Sequence, residues 1–309
     1  MINFSVIIPH YNSVCYLKKL IRSIPIDDAI QVIVVDDKSQ EDISEAESFV
    51  VSRGGLFIHN TTAQKGAGVC RNLGLKEAKG KWLVFADADD YFLDDAFDKM
   101  QKYAESDAEI VYFIPTSRYI DSAKEAERHI ENKALICNYQ QNPSLQNEVL
   151  LKYYYRSPCS KIVKNEMVKK HNIEFDEVSA ANDVMFSMKS AYYAGKVEVS
   201  SEVIYCITSA AESLSVKYSE SNLWTRVKVF KERYYFLKER LTKEEFGYLQ
   251  LSGLSLILFA VKKGYGMGCA LKIYKYMREN KIKVFSWHAV RTTFLNVFSR
   301  ILKRISNKE

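Results

Sequence analysis

The strongest constraint on this chain is a rhythm in its first 114 residues. Short apolar runs suited to buried strands alternate with stretches of helical spacing. Residues 4–9, "FSVIIP", 31–37, "QVIVVDD", 56–60, "LFIHN", 82–86, "WLVFA", and 109–114, "EIVYFI", are the strands. Between them Val14–Ile24, Glu41–Arg53, Val69–Ala78 and Phe97–Ala104 carry the helical pattern, with Gly54-Gly55 and Gly80 as stops. Strands and helices alternating at this pitch predict an α/β fold, a mostly parallel Rossmann-like sheet flanked by helices. Such sheets bind ligands at the carboxyl ends of their strands.

Two of those ends are acidic. "VVDDKS" closes the second strand on Asp36 and Asp37, and "WLVFADADD" closes the fourth on Asp87, Asp89 and Asp90. Side chains at i and i+2 of an extended chain point the same way, roughly 6–7 Å apart. Asp87 and Asp89 so placed can grip one hard divalent cation of the Mg2+ or Mn2+ type, which shares its sphere with phosphate oxygens. The plainer alternative is a solvated strand-end turn with helix-capping aspartates at 94 and 95. Asp37 can accept a bond from a nucleobase or ribose donor, or can serve a β-turn or helix cap before Glu41. "KGAGVCRN", 65–72, lets the backbone approach a ligand, with Lys65 or Arg71 offsetting phosphate charge; a simple turn and helix start reads equally well. It matches neither the dinucleotide fingerprint nor the P-loop.

Beyond Pro115 the pattern weakens. Residues 116–145 read as loops and short elements, Lys164–His171 and Asp183–Tyr193 as helices, and 196–200 and 202–207 as two late strands. From about Glu220 the spacing is helical, with a boundary at the polar residues 219–222. The expected domains are therefore 1–218, divided at about 114/115 into a nucleotide-binding and an acceptor part, and a helical region, 219–309.

Charge follows the same division. The formal net charge is +6, but from Lys217 onward 20 Lys/Arg face 7 Asp/Glu, an excess of +13, while the preceding residues hold 24 and 31. Such a basic tail suits an anionic surface. In 285–309, Val290, Phe294, Val297, Ile301 and Ile305 recur at helical spacing beside Arg300, Lys303, Arg304 and Lys308; an interfacial helix on anionic lipid and an ordinary packed helix are both open. No nucleic-acid motif accompanies the charge, so nucleic acid is not an expected partner. The six cysteines lie far apart and suggest reduced thiols, Cys70 and Cys159 as small buried hydrophobes. The histidines show no ligand spacing, and His10 and His59 read as structural or pocket-lining. "MINFSVIIPHYN" lacks the look of a secretory leader, and no stretch reads as a membrane span, so a cytoplasmic location, peripheral at the inner face of the membrane through the basic helices, is expected.

Taken together, the blocks "FSVIIPHYN", "VIVVDDKSQED", "KGAGVCRNLGLKEAKGKWLVFADADD" and, more loosely, "SKIVKNEMV…IEFDE…NDVMF" resemble family 2 glycosyltransferases, over roughly residues 3–195. The resemblance implies the GT-A nucleotide-sugar fold and inverting transfer from a UDP-sugar to an acceptor hydroxyl of a glycan or lipid-linked acceptor. It implies a nucleotide pocket containing Pro9, Tyr11, Asn12, Asp36, Lys65, Gly66 and Ala88, with Asp37 reading the base and Arg71 as a basic contact. Asp87 and Asp89 match the D-x-D pair that holds Mn2+ or Mg2+, Asp89 most directly, and Asp183 matches the catalytic base. The chain departs from the family in reading Asn182-Asp183 where Glu-Asp is usual and "KIVK" where a Lys-Leu-Tyr-like block is usual, and Asp176 and Glu177 lie close enough to compete for the base. Two other readings remain: a sugar nucleotidyltransferase, which would carry a Gly- and Arg-rich loop where this chain has "PHYNSVCYL", and an inactive nucleotide- or carbohydrate-binding module, for which Asn182 speaks.

Overall fold

The computed structural model describes residues 1–120, 122, 124–209 and 219–285. The chain divides into two compact units, 1–216 and 217–309. The first holds one eight-stranded sheet. Its strands are β1 (Phe4–His10), β2 (Ile30–Asp36), β3 (Leu56–His59), β4 (Trp82–Phe85), β5 (Tyr91–Phe92), β6 (Ile110–Tyr119), β7 (Lys161–Lys164) and β8 (Val197–Ser209), in the order β3-β2-β1-β4-β7-β6-β8-β5. Its helices are α1 (Val14–Arg22), α2 (Ser44–Ser52), α3 (Ala67–Glu77), α4 (Ala96–Gln101), α5 (Ile130–Gln141), α6 (Leu145–Tyr154), α7 (Asn165–Lys170) and α8 (Val184–Tyr193).

The N-terminal half follows from apolar patterning. Phe4, Val6 and Ile8 of β1, Val34 of β2 and Val84 of β4 face one core with Leu17, Leu20 and Ile21 of α1. Ile7 points to the opposite face, where α3 packs against β1 and β2. Strands covered on both faces read as continuous apolar runs, which is why β1, β2 and β4 show no alternation. All three ladders among β1 to β4 are parallel.

The C-terminal half departs from expectation. The sheet is mixed: β7 runs antiparallel to both β4 and β6, and β5 antiparallel to β8, while β6 and β8 are parallel. β6 does not stop at residue 114 but continues to Tyr119. Pro115 lacks an N–H for the ladder, and it falls where the register between β6 and β8 shifts, an irregularity that accommodates proline. The two late strands are one, β8, and the region 116–145 contains α5, and α6 begins at its end. α5 buries only Ile136, so its apolar residues form no stripe that sequence inspection could recognise.

The second unit contains α9 (Glu220–Arg240), α10 (Lys243–Leu249), α11 (Leu254–Lys262) and α12 (Gly266–Glu279). Ser219 caps α9, and Thr242 with Glu245 forms a reciprocal capping box on α10. The amphipathic pattern noted in 285–309 lies outside the described residues apart from Phe285. Among the described residues no helix is long and apolar enough to cross a membrane.

Candidate active site

The site begins at the carboxyl end of β1 and β2. His10 and Asp36 are register partners on adjacent strands, so their side chains share a face. His10 Nε2 accepts the Ser13 N–H at 3.3 Å, which leaves the Nδ1 proton to donate to Asp36 at 2.9 Å. Asp36 also accepts the Ser39 hydroxyl at 2.6 Å and the Ser39 N–H at 3.0 Å. Burial pushes its carboxyl up, but the Ser39 and His10 bonds outweigh it and the net shift is downward. Asp36 is thus a buried brace whose carboxylate is engaged by His10 and Ser39.

Asp37, one residue on, alternates to the other side. Its oxygens accept Asn60 Nδ2 at 2.8 Å and the Gly66 N–H at 2.7 Å. Gly66 has φ +128°, which only glycine adopts readily, so the glycine turn is shaped to present that N–H to Asp37. Asn12, at φ +46°, accepts the Gln40 N–H at 2.7 Å and ties the β1–α1 turn to the loop after β2. Tyr11 is 46% exposed, and the Lys65 ammonium lies 5.4 Å from the centre of its ring. Pro9, Tyr11, Asn12, Asp37, Lys65 and Gly66 therefore line one edge.

The acidic turn after β4 stands beyond the other flank of β1. The Asp90 N–H donates to the Asp87 carbonyl at 3.0 Å and closes the turn. Tyr205 of β8 secures it: its hydroxyl accepts the Asp87 N–H and donates to Asp90 Oδ2, each at 2.9 Å. The Thr208 N–H donates to Asp90 Oδ1 at 2.7 Å. Burial, then the charges of Asp87 and Asp89, push the Asp90 carboxyl up to about 8. The third carboxylate of "DADD" is thus a buried strut, and it leaves Asp87 and Asp89 as the pair facing outward. Ala88 between them is buried and offers only its backbone.

Arg71 links this turn to the segment before α8. Only 5% exposed, it donates to Asp87 Oδ1 at 2.5 Å and to Asn182 Oδ1 at 2.9 Å, and its guanidinium lies 5.2 Å from the Phe175 ring centre. Gly68, one turn earlier on α3, lets the segment before α8 approach, since a Cβ there would sit 2.2 Å from the Asp176 carbonyl. Asp183 caps the start of α8 without a side-chain bond to the helix. Burial pushes its carboxyl up, Arg71 draws it partly back, and Asp87 adds to the rise. A half-buried carboxylate whose affinity for a proton is raised suits a general base. The Asn182 that replaces the family's glutamate is spent on Arg71. Asp176 and Glu177 belong to the segment that α3 holds: Asn72 donates to Glu177 and brackets Phe175.

Asp87 and Asp89 fit a divalent cation by their chemistry. Asp89 is exposed, and burial of its surroundings and the Asp87 charge push its carboxyl up, a repulsion that a cation would relieve. Among the described residues no group of three or more His, Cys, Asp or Glu side chains forms a complete cage, so the remaining oxygens would come from water or a ligand's phosphates. Cys70 and Cys159 are buried thiols whose pKa burial raises, in keeping with inert packing. Tyr205 and Arg128, whose guanidinium donates to the Thr208 carbonyl at 2.7 Å, have no local sequence signal.

The sheet is that of the GT-A fold. The chain belongs to glycosyl transferase family 2, whose family model matches residues 5–171. It is similar to the poly(ribitol-phosphate) beta-N-acetylglucosaminyltransferase TarS of Staphylococcus aureus, with 27% identity over 228 residues, 69% of this chain but 36% of that protein. The putative glycosyltransferase EpsH of Bacillus subtilis is 23% identical over 255 residues, 78% of this chain and 71% of that protein. The crystal structure of S. aureus TarS 1–349 with UDP-GlcNAc superposes with a TM-score of 0.64, at 22% identity, over 81% of this chain and 72% of that one. The chain thus spans about a third of the full length of TarS.

Proposed function

We propose that this chain is an inverting, metal-dependent glycosyltransferase that moves a sugar, of the N-acetylhexosamine or hexose type, from a UDP-sugar to a hydroxyl of a surface glycan or lipid-linked acceptor. One observation carries the reading. Asp87, Arg71 and Asp183 come from three separate elements, and a single buried guanidinium joins the donor turn to the base turn. The named relatives support the donor class and the surface polymer, TarS by its UDP-GlcNAc complex and GgaB of B. subtilis as a minor teichoic acid biosynthesis protein.

Asp37 accepts from the base, with Tyr11 and Lys65 alongside. A divalent cation, Mn2+ or Mg2+, held by Asp87 and Asp89 supplies neutralisation of the charge that grows on the departing diphosphate. Asp183 takes the proton of the acceptor hydroxyl as its oxygen attacks the anomeric carbon. The bond from that carbon to the diphosphate oxygen breaks on the opposite face, so the anomeric configuration inverts and UDP leaves. The excess of +13 in residues 217–309 supports peripheral association with anionic lipid, where a lipid-linked acceptor would reside.

The test compares wild type with Asp183→Ala over a panel of UDP-sugars with Mn2+. Turnover by wild type and a loss of 10²-fold or more in the variant, with UDP affinity retained, is expected. Donor binding without turnover in either protein identifies a binding module instead.

A further inference from the structure

The donor-side residues gather over β1 and β2, whereas the strand order carries β6, β8 and β5 to the other side of β4. Beside the acidic turn, between α1 and those strands, lies a cavity of about 170 Å³ of whose lining the mechanism above uses only Asp89. Asp89 stands on its wall, and the rest of the lining includes Tyr16 and Lys19 of α1, Tyr91 of β5 and Arg118 and Tyr119 of β6. Its size is well under the roughly 300 Å³ at which pockets for whole small molecules begin, so it suits one group of a larger ligand.

Its chemistry is specific. The Lys19 ammonium lies 4.2 Å from the centre of the Tyr91 ring, and Arg118 lines the same cavity. Two cationic side chains thus share one lining with Tyr91. Among the described residues neither cation pairs with a carboxylate, although the chain is otherwise laced with such pairs. Two cations among three tyrosines fit a compact anion attached to a polyol or sugar: phosphate oxygens accept from the guanidinium and ammonium, and the tyrosines offer faces and hydroxyls. Asp89 at the edge bars an anion from that side until its own charge is compensated by the donor's cation. Loading of donor and binding of the anion would then be favourably coupled.

We propose that this cavity binds a phosphate group of the acceptor, and hence that the acceptor is a phosphate-bearing chain rather than a neutral glycan. The proposal rests on the glycosyltransferase reading for the word acceptor, but its test does not need turnover. Inorganic phosphate and glycerol 3-phosphate are titrated against the full chain by 31P NMR, with and without saturating UDP and Mg2+, and against Lys19→Gln/Arg118→Gln. Both residues are exposed, and Lys19→Arg keeps the charge as a control on packing.

Saturable binding of both probes, weakened tenfold or more in the double variant, retained in Lys19→Arg and undiminished by UDP–Mg2+, is the expected result. Displacement of the probes by UDP–Mg2+ would assign the two cations to the donor diphosphate and overturn the proposal. Equal binding by wild type and double variant would overturn it as well. If wild type turns over no donor while the phosphate results hold, the glycosyltransferase reading fails and the anion site stands.

Discussion

Lys161 offers the sharpest test of the energetics. It opens β7, is 1% exposed, and among the described residues makes one hydrogen bond, to Ser187 Oγ at 3.2 Å, with the Tyr155 and Tyr112 ring centres 5.4 and 5.7 Å from its ammonium. Ser187 Oγ in turn donates to the Arg156 carbonyl at 2.6 Å, so it must be the acceptor toward the lysine. An ammonium with three donors and one partner is poorly compensated. Burial pushes its pKa down to about 7, with the charge of Asp183 only partly opposing. The unfolded value lies near 10.4, so between about pH 7 and 10.4 the unfolded chain holds the extra proton and stability rises with pH. The penalty is fully present below pH 7, where the gap corresponds to about 5 kcal/mol, and at pH 7 itself it is about 4 kcal/mol. Lys161→Met fills the same channel without charge. The variant should be more stable than wild type at pH 7 by about 1–4 kcal/mol, and that advantage should shrink steadily toward pH 10. Urea unfolding of both proteins at pH 6, 7, 8, 9 and 10 measures it. A variant less stable than wild type at pH 7, or a difference that stays flat across the series, would refute the reasoning.

Tyr205→Phe removes the hydroxyl that holds the Asp87 N–H and Asp90 together; two groups lose a partner, and urea unfolding should show a loss of about 2–4 kcal/mol, with kcat reduced because the turn that carries Asp87 and Asp89 loosens. Arg71→Gln removes the cation that draws the Asp183 carboxyl down, so the acid limb of the pH–kcat profile should move to higher pH; an unmoved limb would separate Arg71 from the base. In calorimetry, Mn2+ should strengthen UDP binding by wild type but not by Asp89→Asn, which should keep weak metal-free binding through Asp37; full enhancement in the variant would remove Asp89 from the cation.

How much of this was legible in the sequence depends on the range of the interaction. Asp87 and Asp89 announce themselves because two residues apart on a strand end is a local relation. The strand ends that gather Asp37 with them follow from the βα rhythm, since buried apolar runs need no distant partner to be recognised. The "DD" pair is less legible: it looks like one motif, but alternation sends its two carboxylates to opposite sides, one to His10 and one to the Gly66 turn. Asp90, by contrast, acquires its role only from Tyr205 and Thr208, which lie on a strand whose pairing no local pattern specifies. β7 escaped notice because four residues, "KIVK", carry too little periodicity to read, and β6 was cut short because Pro115 ordinarily ends a central strand.

That missed strand changes the rule used to find the site. In a parallel sheet only carboxyl ends face the ligand, so residues at strand beginnings are discounted. β7 runs against β4, with Trp82 opposite Lys164 and Val84 opposite Ile162. Its beginning, not its end, therefore lies level with the acidic turn, and the bridge between Phe85 and Cys159 carries the preceding segment there as well. Arg156 and Lys161, which the parallel-sheet rule discounts, are thereby brought into the electrostatic surroundings of Asp183. A mixed sheet lets one edge collect carboxylates from the parallel strands and cations from the antiparallel one. A transferase that must hold a polyanionic donor beside a carboxylate base needs both signs of charge at one rim.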